Sequence, residues 1–301
     1  MICVVSHDAG GAEILSSYVR QQDLDCVYSL AGPAQKIFKR KLGEVVSLPL
    51  VEALRQCEWL LCGTSWQSDL EWHAIALAKK MGKRTVAFLD HWVNYQERFI
   101  RSGELHLPDE IWVGDSLGKT MAKEIFPEIN VRLVSNPYFD DLKQELTSLP
   151  QQPKNIDTKG IRVLYVCEPL REHALRKYGD ERYWGYTEEE ALRYFLSHIE
   201  ALNVPVISIT IRPHPSEPLD KYDWAKKEFN LPIISGGVKT LFEEVAQCDL
   251  VVGCESMAMV IGLLAGKRVM SCIPPGGKLC ALPQAEIEHL QHILKISNEY
   301  N

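Results

Sequence analysis

The chain has 301 residues and 46% hydrophobic content, enough apolar surface for two α/β domains. Its formal net charge of −7 argues against a nucleic-acid-binding surface, and no run of about 18 apolar residues predicts a transmembrane helix. Nine cysteines stand mostly in apolar segments without a C-x-x-C pair, which favours reduced thiols in a cytoplasmic protein over disulfides or zinc ligands. The first six residues predict a buried strand, not a signal peptide.

In the first half of the chain, strand and helix patterns alternate, which is typical of a parallel sheet with crossover helices. Strands are predicted at residues 2–6, 25–31, 44–48, 59–63, 84–89, 110–113 and 131–134. Helices are predicted at residues 11–20, 33–42, 68–81 and 116–126.

The alternation breaks at residues 143–159, a polar, proline-bearing segment that predicts an interdomain linker. We therefore expect an N-terminal domain over residues 1–145 and a C-terminal domain over residues 160–301. In the second domain, strands are predicted at 161–167, 204–211, 231–234, 250–253 and 268–272, and helices at 187–202, 256–265 and 283–300. A polar, tyrosine-rich stretch at 168–186 follows the first of these strands. The predicted fold class is α/β, with two Rossmann-like domains facing across a cleft.

The most distinctive motif of the second domain ends its β-branched strand. The sequence Arg212-Pro213-His214-Pro215 stops that strand, because proline cannot continue a central strand and disfavours an immediate helix. In open α/β sheets this strand end is where ligands bind, and both Arg212 and His214 can donate to a phosphate. A structural turn role for His214 is the alternative.

A second strand end in this domain carries Glu255 and Ser256. Ser256 begins a predicted helix, whose unpaired N–H groups suit a phosphate, although an ordinary N-cap fits nearly as well. Glu255 is predicted to hold ribose hydroxyls or to pair with Arg212. Gly236 lies in a flexible strand-to-helix turn that is predicted to approach the nucleotide base. We expect Arg212, His214 and Ser256 to share one phosphate.

In the first domain, His7, Asp8, Gly10 and Gly11 directly follow the first strand and open a helix. Glycines allow a ligand close to the backbone, but the G-x-G-x-x-G fingerprint of dinucleotide sites is missing. Asp8 is predicted to take a proton from an acceptor hydroxyl, and N-capping is its alternative role. His7 is predicted to support it or to contact the ligand.

Another strand end of the first domain is followed by a dense mixture of charged and aromatic residues. Such a mixture is costly to bury unless polar partners are supplied. We predict that Asp90, His91 and Asn94 contact the acceptor or its sugar, and an interdomain packing surface is the alternative.

Residues 211–217 and 249–269 together resemble the C-terminal half of GT-B glycosyltransferases. The pattern is similar to bacterial sialyltransferases and polysialyltransferases, Kdo transferases and glycerophosphotransferases. In that group a His-Pro pair and a later serine motif hold the phosphate of a nucleotide-activated donor, commonly CMP-linked. His214-Pro215 matches the first motif, and Ser256 matches the second with Glu255 where another serine often stands. Asp8-Ala9-Gly10 matches the acidic-glycine base motif loosely, with an inserted alanine.

The resemblance covers residues 160–275 and the first half only in architecture, and sugar-nucleotide 2-epimerases share it. It implies a metal-independent glycosyltransferase that moves a sugar from a nucleotide-activated donor to a glycan or surface-polysaccharide acceptor. Asp8 and His214 would be catalytic, with the nucleotide-sugar as substrate and no other cofactor. A 2-epimerase, a hydrolase and a non-catalytic sugar-nucleotide-binding protein are the alternatives. The predicted location is cytoplasmic, and the assignment is compatible with peripheral membrane association.

Overall fold

The computed structural model describes residues 1–65, 68–150 and 160–299. It divides the chain into two compact units, Met1–Asp141 and Leu142–Asn301. Part of the predicted linker, residues 151–159, lies outside the described residues. Another part, residues 143–148, belongs to a helix, because Leu142 and Leu146 bury one face there.

The first unit contains a six-stranded parallel sheet and a short antiparallel hairpin. Its strands are β1 (Ile2–Ser6), β2 (Cys26–Leu30), β3 (Trp59–Cys62), β4 (Arg84–Leu89), the hairpin β5 (Ile100–Arg101) and β6 (Glu104–Leu105), β7 (Glu110–Val113) and β8 (Asn130–Leu133). Its helices are α1 (Ala9–Gln22), α2 (Pro33–Leu42), α3 (Leu50–Gln56), α4 (Leu70–Lys80), α5 (Ser116–Ile125) and α6 (Pro137–Ser148), which continues past Asp141. The sheet order is β2-β1-β3-β4-β7-β8.

The second unit contains another six-stranded parallel sheet. Its strands are β9 (Ile161–Val166), β10 (Val206–Arg212), β11 (Ile233–Ser235), β12 (Leu250–Gly253), β13 (Arg268–Ser271) and β14 (Glu288–His289). Its helices are α7 (Leu170–Tyr178), α8 (Glu188–Ser197) with a 3₁₀ turn at Ile199–Leu202, α9 (Trp224–Glu228), α10 (Leu241–Gln247), α11 (Met257–Leu264) and α12 (Leu290–Glu299). The sheet order is β11-β10-β9-β12-β13-β14.

The central strands are apolar because both faces of each sheet are covered by helices. Every residue of β1 and of β12 is buried. Alternate residues of one strand then enter different clusters of the core: Val5 packs with Ile75, and Val4 packs with Phe88. The predicted α/β class, with two parallel sheets and crossover helices, is confirmed.

Three predicted segments differ from the structure. Residues 44–48 do not form a strand in the described chain. Ser47 makes a single bridge to Tyr28, and Val46 is 74% exposed, whereas strand residues favour a half-buried surface. The stretch 168–186 contains α7, with Glu172 in its first turn and Gly179 ending it in the left-handed conformation. The terminal helix starts at Leu290, seven residues later than predicted, because β14 precedes it.

Strand order decides which predicted site residues become neighbours. In the first sheet, β1, β3 and β4 are adjacent, so the residues after them share one edge. In the second sheet, β9 lies between β10 and β12. The ends that carry His214 and Ser256 are therefore about 10 Å apart, with Glu168 after the strand between them. The strands are near neighbours, not adjacent, and the sharing of one phosphate by Arg212, His214 and Ser256 stays a prediction.

Candidate functional site

The His7–Asp8 pair follows β1 at the carboxyl edge of the first sheet. His7 Nδ1 lies 2.7 Å from Asp8 Oδ1 and donates to it, since a carboxylate only accepts. Asp8 occupies the N-cap position of α1, yet its side chain caps none of the described N–H groups of that helix. Because the side chains of His7 and Asp8 are 26% and 20% exposed, a ligand can reach the pair.

Glu71 lies behind this pair, in the first turn of α4, and was not predicted. It is 3% exposed, and its Oε1 accepts a hydrogen bond from the His7 backbone N–H at 2.6 Å. Burial raises the pKa of Glu71 to about 7, against the opposing effect of backbone N–H groups. The only sequence signal for a buried carboxyl is that Glu71 stands between the apolar residues Leu70 and Trp72. This signal is weak, because an acidic residue is common in the first turn of a helix.

Asp90, after β4, forms a buried ion pair that sequence analysis also missed. Arg98 Nη1 donates to Asp90 Oδ1 at 2.5 Å and to Thr64 Oγ1 at 2.7 Å, and Arg98 is 6% exposed. Gly10 is required here, because a Cβ at this position would lie 1.9 Å from Asp90 Oδ2. This close approach places the Asp90 side chain against Gly10 in the first turn of α1, which is near Asp8 in sequence.

The other predicted acceptor residues have local structural explanations. A Cβ at Gly11 would lie 3.2 Å from the Cα of Gly63, so this glycine lets α1 pack closely on the end of β3. His91 Nδ1 accepts from the Trp92 N–H at 2.9 Å, and burial lowers the pKa of His91, so its ring is neutral. Asn94 is exposed and adopts a left-handed backbone (φ 56°), which asparagine tolerates well. Acceptor contact by these residues stays a prediction.

In the second unit, Glu168 occupies the backbone donors that precede α11. Its Oε1 accepts from the N–H groups of Cys254 at 3.2 Å and Glu255 at 2.9 Å. Burial raises the pKa of Glu168 to about 7, opposed by these backbone hydrogen bonds and reinforced by Glu255. Glu168 is therefore a second carboxyl group beside this helix start, in addition to Glu255.

Ser256 and Glu255 have clear roles in the local fold. The Ser256 hydroxyl accepts from the Ala258 N–H at 3.2 Å, so Ser256 is the N-cap of α11, the alternative weighed for it. Glu255 Oε2 accepts from the Ala281 N–H at 3.1 Å. The predicted pairing of Glu255 with Arg212 is wrong, because the guanidinium faces another glutamate.

That partner is Glu244. Arg212 Nη1 donates to Glu244 Oε2 at 2.7 Å and to the Lys239 carbonyl at 2.8 Å, which ties the end of β10 to α10. Gly236 sits in the same corner, where a Cβ would lie 2.8 Å from Thr210 Cγ2. Close packing thus explains the glycine, and its contact with a base stays a prediction.

His214 is held by a buried carboxylate of its own loop. Glu217 Oε2 accepts from the His214 N–H at 2.8 Å, and the Glu217 side chain is 3% exposed. His214 Nδ1 accepts from the Ser216 N–H at 3.2 Å, so the proton of the neutral ring lies on Nε2. Burial lowers the pKa of His214, which keeps the ring neutral. The loop therefore presents one fixed N–H donor.

Two global features bear on the class of site. Within the described ranges, no group of three or more His, Cys, Asp or Glu side chains is arranged to hold a metal ion. Among the described helices, none is both long and apolar enough to cross a membrane.

No family model matches the chain, and no curated protein matches it either. Solved structures do share its fold. The UDP co-structure of S. aureus MnaA has a TM-score of 0.64 at 8% identity, over 99% of this chain and 87% of that one. UDP-GlcNAc 2-epimerase from Methanocaldococcus jannaschii has a TM-score of 0.58 at 10% identity, over 99% and 91%. The glycotransferase of kitacinnamycin has a TM-score of 0.55 at 12% identity, over 96% and 85%. The chain has a GT-B-like α/β fold.

Proposed function

We propose that this protein transfers a sugar from a nucleotide-activated donor to a hydroxyl of a glycan or surface polysaccharide, without a metal ion. One observation carries the proposal. Asp8 stands at a helix start, leaves the described N–H groups of that helix uncapped, and is instead oriented by His7 at an exposed strand end. An oriented carboxylate with a histidine partner is suited to general-base chemistry.

In the proposed reaction, Asp8 takes the proton of the acceptor hydroxyl while the hydroxyl oxygen bonds to the anomeric carbon of the donor sugar. The bond between that carbon and the phosphate oxygen breaks, and the nucleotide leaves with the electron pair. His7 keeps the Asp8 carboxylate oriented through the Nδ1–H hydrogen bond. Asp90 is not assigned this role, because its carboxylate is already held in an ion pair with the buried Arg98.

The second unit is proposed to bind the donor nucleotide. His214 Nε2–H donates to its phosphate, and the start of α11 at Ser256 contributes the positive end of the helix dipole. Arg212 is left out of this set, because Glu244 already pairs with its guanidinium. Glu255 and Gly236 are proposed to border the nucleoside.

The remaining features agree with a cytoplasmic enzyme of polysaccharide biosynthesis. All nine cysteines, each within the described ranges, are free thiols, and burial raises the pKa of several of them, as for Cys62 and Cys167. Buried neutral thiols are typical of a reducing compartment.

Epimerisation is the second candidate, because the fold is also that of the Methanocaldococcus jannaschii UDP-GlcNAc 2-epimerase. In that case the sugar ring carbon would replace the acceptor hydroxyl as the proton donor. The two activities give different products from one donor.

A thermal-shift screen of CMP-, UDP-, GDP- and CDP-linked sugars identifies the donor, since a ligand that binds only the folded state raises its stability. Incubation of that donor with glycan acceptors, followed by mass spectrometry and NMR, identifies the reaction. The proposal expects a glycan heavier by one sugar and free nucleotide. An isomerised donor with unchanged acceptor would favour the epimerase, and binding without turnover would contradict both.

A further inference from the structure

The proposed transfer leaves one conspicuous group without a role. Glu71 is 3% exposed, and its Oε2 has no hydrogen-bond partner among the described residues. Its Oε1 meanwhile accepts the backbone N–H of His7 at 2.6 Å. A buried carboxyl with one unpaired oxygen is costly in a folded protein, so its presence next to a candidate catalytic pair calls for a functional explanation.

The titratable groups that act on Glu71 come from two neighbouring elements. From the turn after β1, the Asp8 carboxylate raises the pKa of Glu71 and His7 lowers it. From β3, Cys62 faces it as a neutral thiol, because burial raises the pKa of that thiol well above its usual value. The first-turn N–H of Glu71 itself lowers its pKa. Glu71 and Asp8 therefore form a pair of neighbouring carboxyl groups, of which one is buried.

We infer that Glu71 is a positioning residue for the His7–Asp8 pair. It fixes the pair by accepting the His7 N–H, and it changes the charge beside the pair by gaining or losing one proton. When the proton leaves Glu71 for solvent, a second negative charge lies beside the His7–Asp8 pair. The inference deepens the proposed function and rests on it for the role of Asp8. The contact between Glu71 and the His7 N–H does not depend on that function.

Glu71→Gln separates the two parts of this role. The amide oxygen of glutamine still accepts the His7 N–H, but the side chain holds no titratable proton. Glu52→Gln is the matched control, because Glu52 is an exposed glutamate in the first turn of α3. The probe is the backbone ¹⁵N–H of His7, which donates to Glu71, is assigned with His7→Gln and needs no substrate.

We expect the His7 N–H resonance to shift as the Glu71 carboxyl that it contacts gains or loses its proton, Glu71→Gln to remove this response, and Glu52→Gln to keep it. In wild type, the Glu71 carboxyl carbon should titrate near pH 7, which is measured directly even if the variant does not fold. A His7 N–H whose pH response is the same in Glu71→Gln and wild type, or a Glu71 titration near the ordinary 4.5, would overturn the inference. If His7 responds as expected while Asp8→Asn leaves turnover intact, the positioning contact stands and the proposed function fails.

Discussion

Glu168 Oε1 lies 2.9 Å from the backbone nitrogen of Glu255, so an anion of the chain itself already occupies the donors in front of α11. This contact changes what a phosphate would meet at the second sheet. It would find a fixed histidine N–H and a helix start, but also a carboxyl group that is charged above neutral pH.

The first prediction is that Glu168→Gln strengthens binding of the donor by about tenfold at pH 8. Removing a negative charge at about 8 Å from a phosphate is worth ~1–2 kcal/mol. In wild type, affinity should fall between pH 6 and pH 8, because Glu168 ionises near pH 7 and repels the donor. Calorimetric titration with the nucleotide-sugar selected by the thermal-shift screen measures this, as its esterified phosphates do not titrate in that range. Identical pH profiles for wild type and variant would remove Glu168 from the phosphate site.

The second prediction concerns His214. His214→Ala should weaken binding of the nucleotide by about 1–3 kcal/mol, the range for a hydrogen bond to a charged group. The free nucleoside, which lacks the phosphate, should bind wild type and variant equally. His198→Ala is the control, because the His198 ring hydrogen-bonds the Tyr194 carbonyl of its own helix. An equal loss for nucleotide and nucleoside would mean that His214 holds the turn together and that the phosphate lies elsewhere.

The third prediction tests the buried ion pair of the first unit. Arg98→Met should destabilise the fold by about 3–5 kcal/mol, because it leaves Asp90 buried without its counter-charge. Lys79→Met removes one partner of an exposed pair with Asp109 and should cost only about 0–1 kcal/mol. Chemical unfolding of both variants measures the difference. Similar small losses would show that Asp90 does not depend on Arg98.

The fourth prediction is a pH dependence of stability. The pKa of Glu71 is about 7 in the folded chain and 4.5 ordinarily, so the folded state binds more protons between these values. Stability must therefore fall as pH rises through that window, by about 3 kcal/mol for this group. We expect Glu71→Gln to gain that amount relative to wild type between pH 4.5 and pH 7.5, as measured by unfolding at each pH. Glu52→Gln should stay parallel to wild type, and a parallel Glu71→Gln curve would contradict the assignment.

Much of the fold is predictable from local patterns. Short apolar runs between helix signals marked β1, β4 and β12 almost to the residue, because buried parallel strands are apolar on both faces. The prediction of a strand at 44–48 was wrong for the complementary reason: Val46 is exposed, and strand propensity depends on burial.

The candidate site was only half predictable. Asp8, His214 and Ser256 could be selected as candidates because each follows a strand, where parallel sheets collect functional groups. The contacts of Glu71, Arg98 and Glu168 were not predicted, since they are made with partners distant in sequence. Arg212 shows the converse: its position at the end of β10 suggested a phosphate ligand, and only the fold reveals Glu244 as its partner.

The most direct test of the account is the turnover of Asp8→Asn. Asparagine keeps the size of Asp8 but cannot take the acceptor proton, so kcat should fall by about 10²–10⁴-fold while donor affinity stays unchanged. Asp115→Asn is the control, because Asp115 caps α5 through its side chain and asparagine also caps well. Near-wild-type turnover in Asp8→Asn, with the donor still bound, would contradict the assignment of Asp8 as the base.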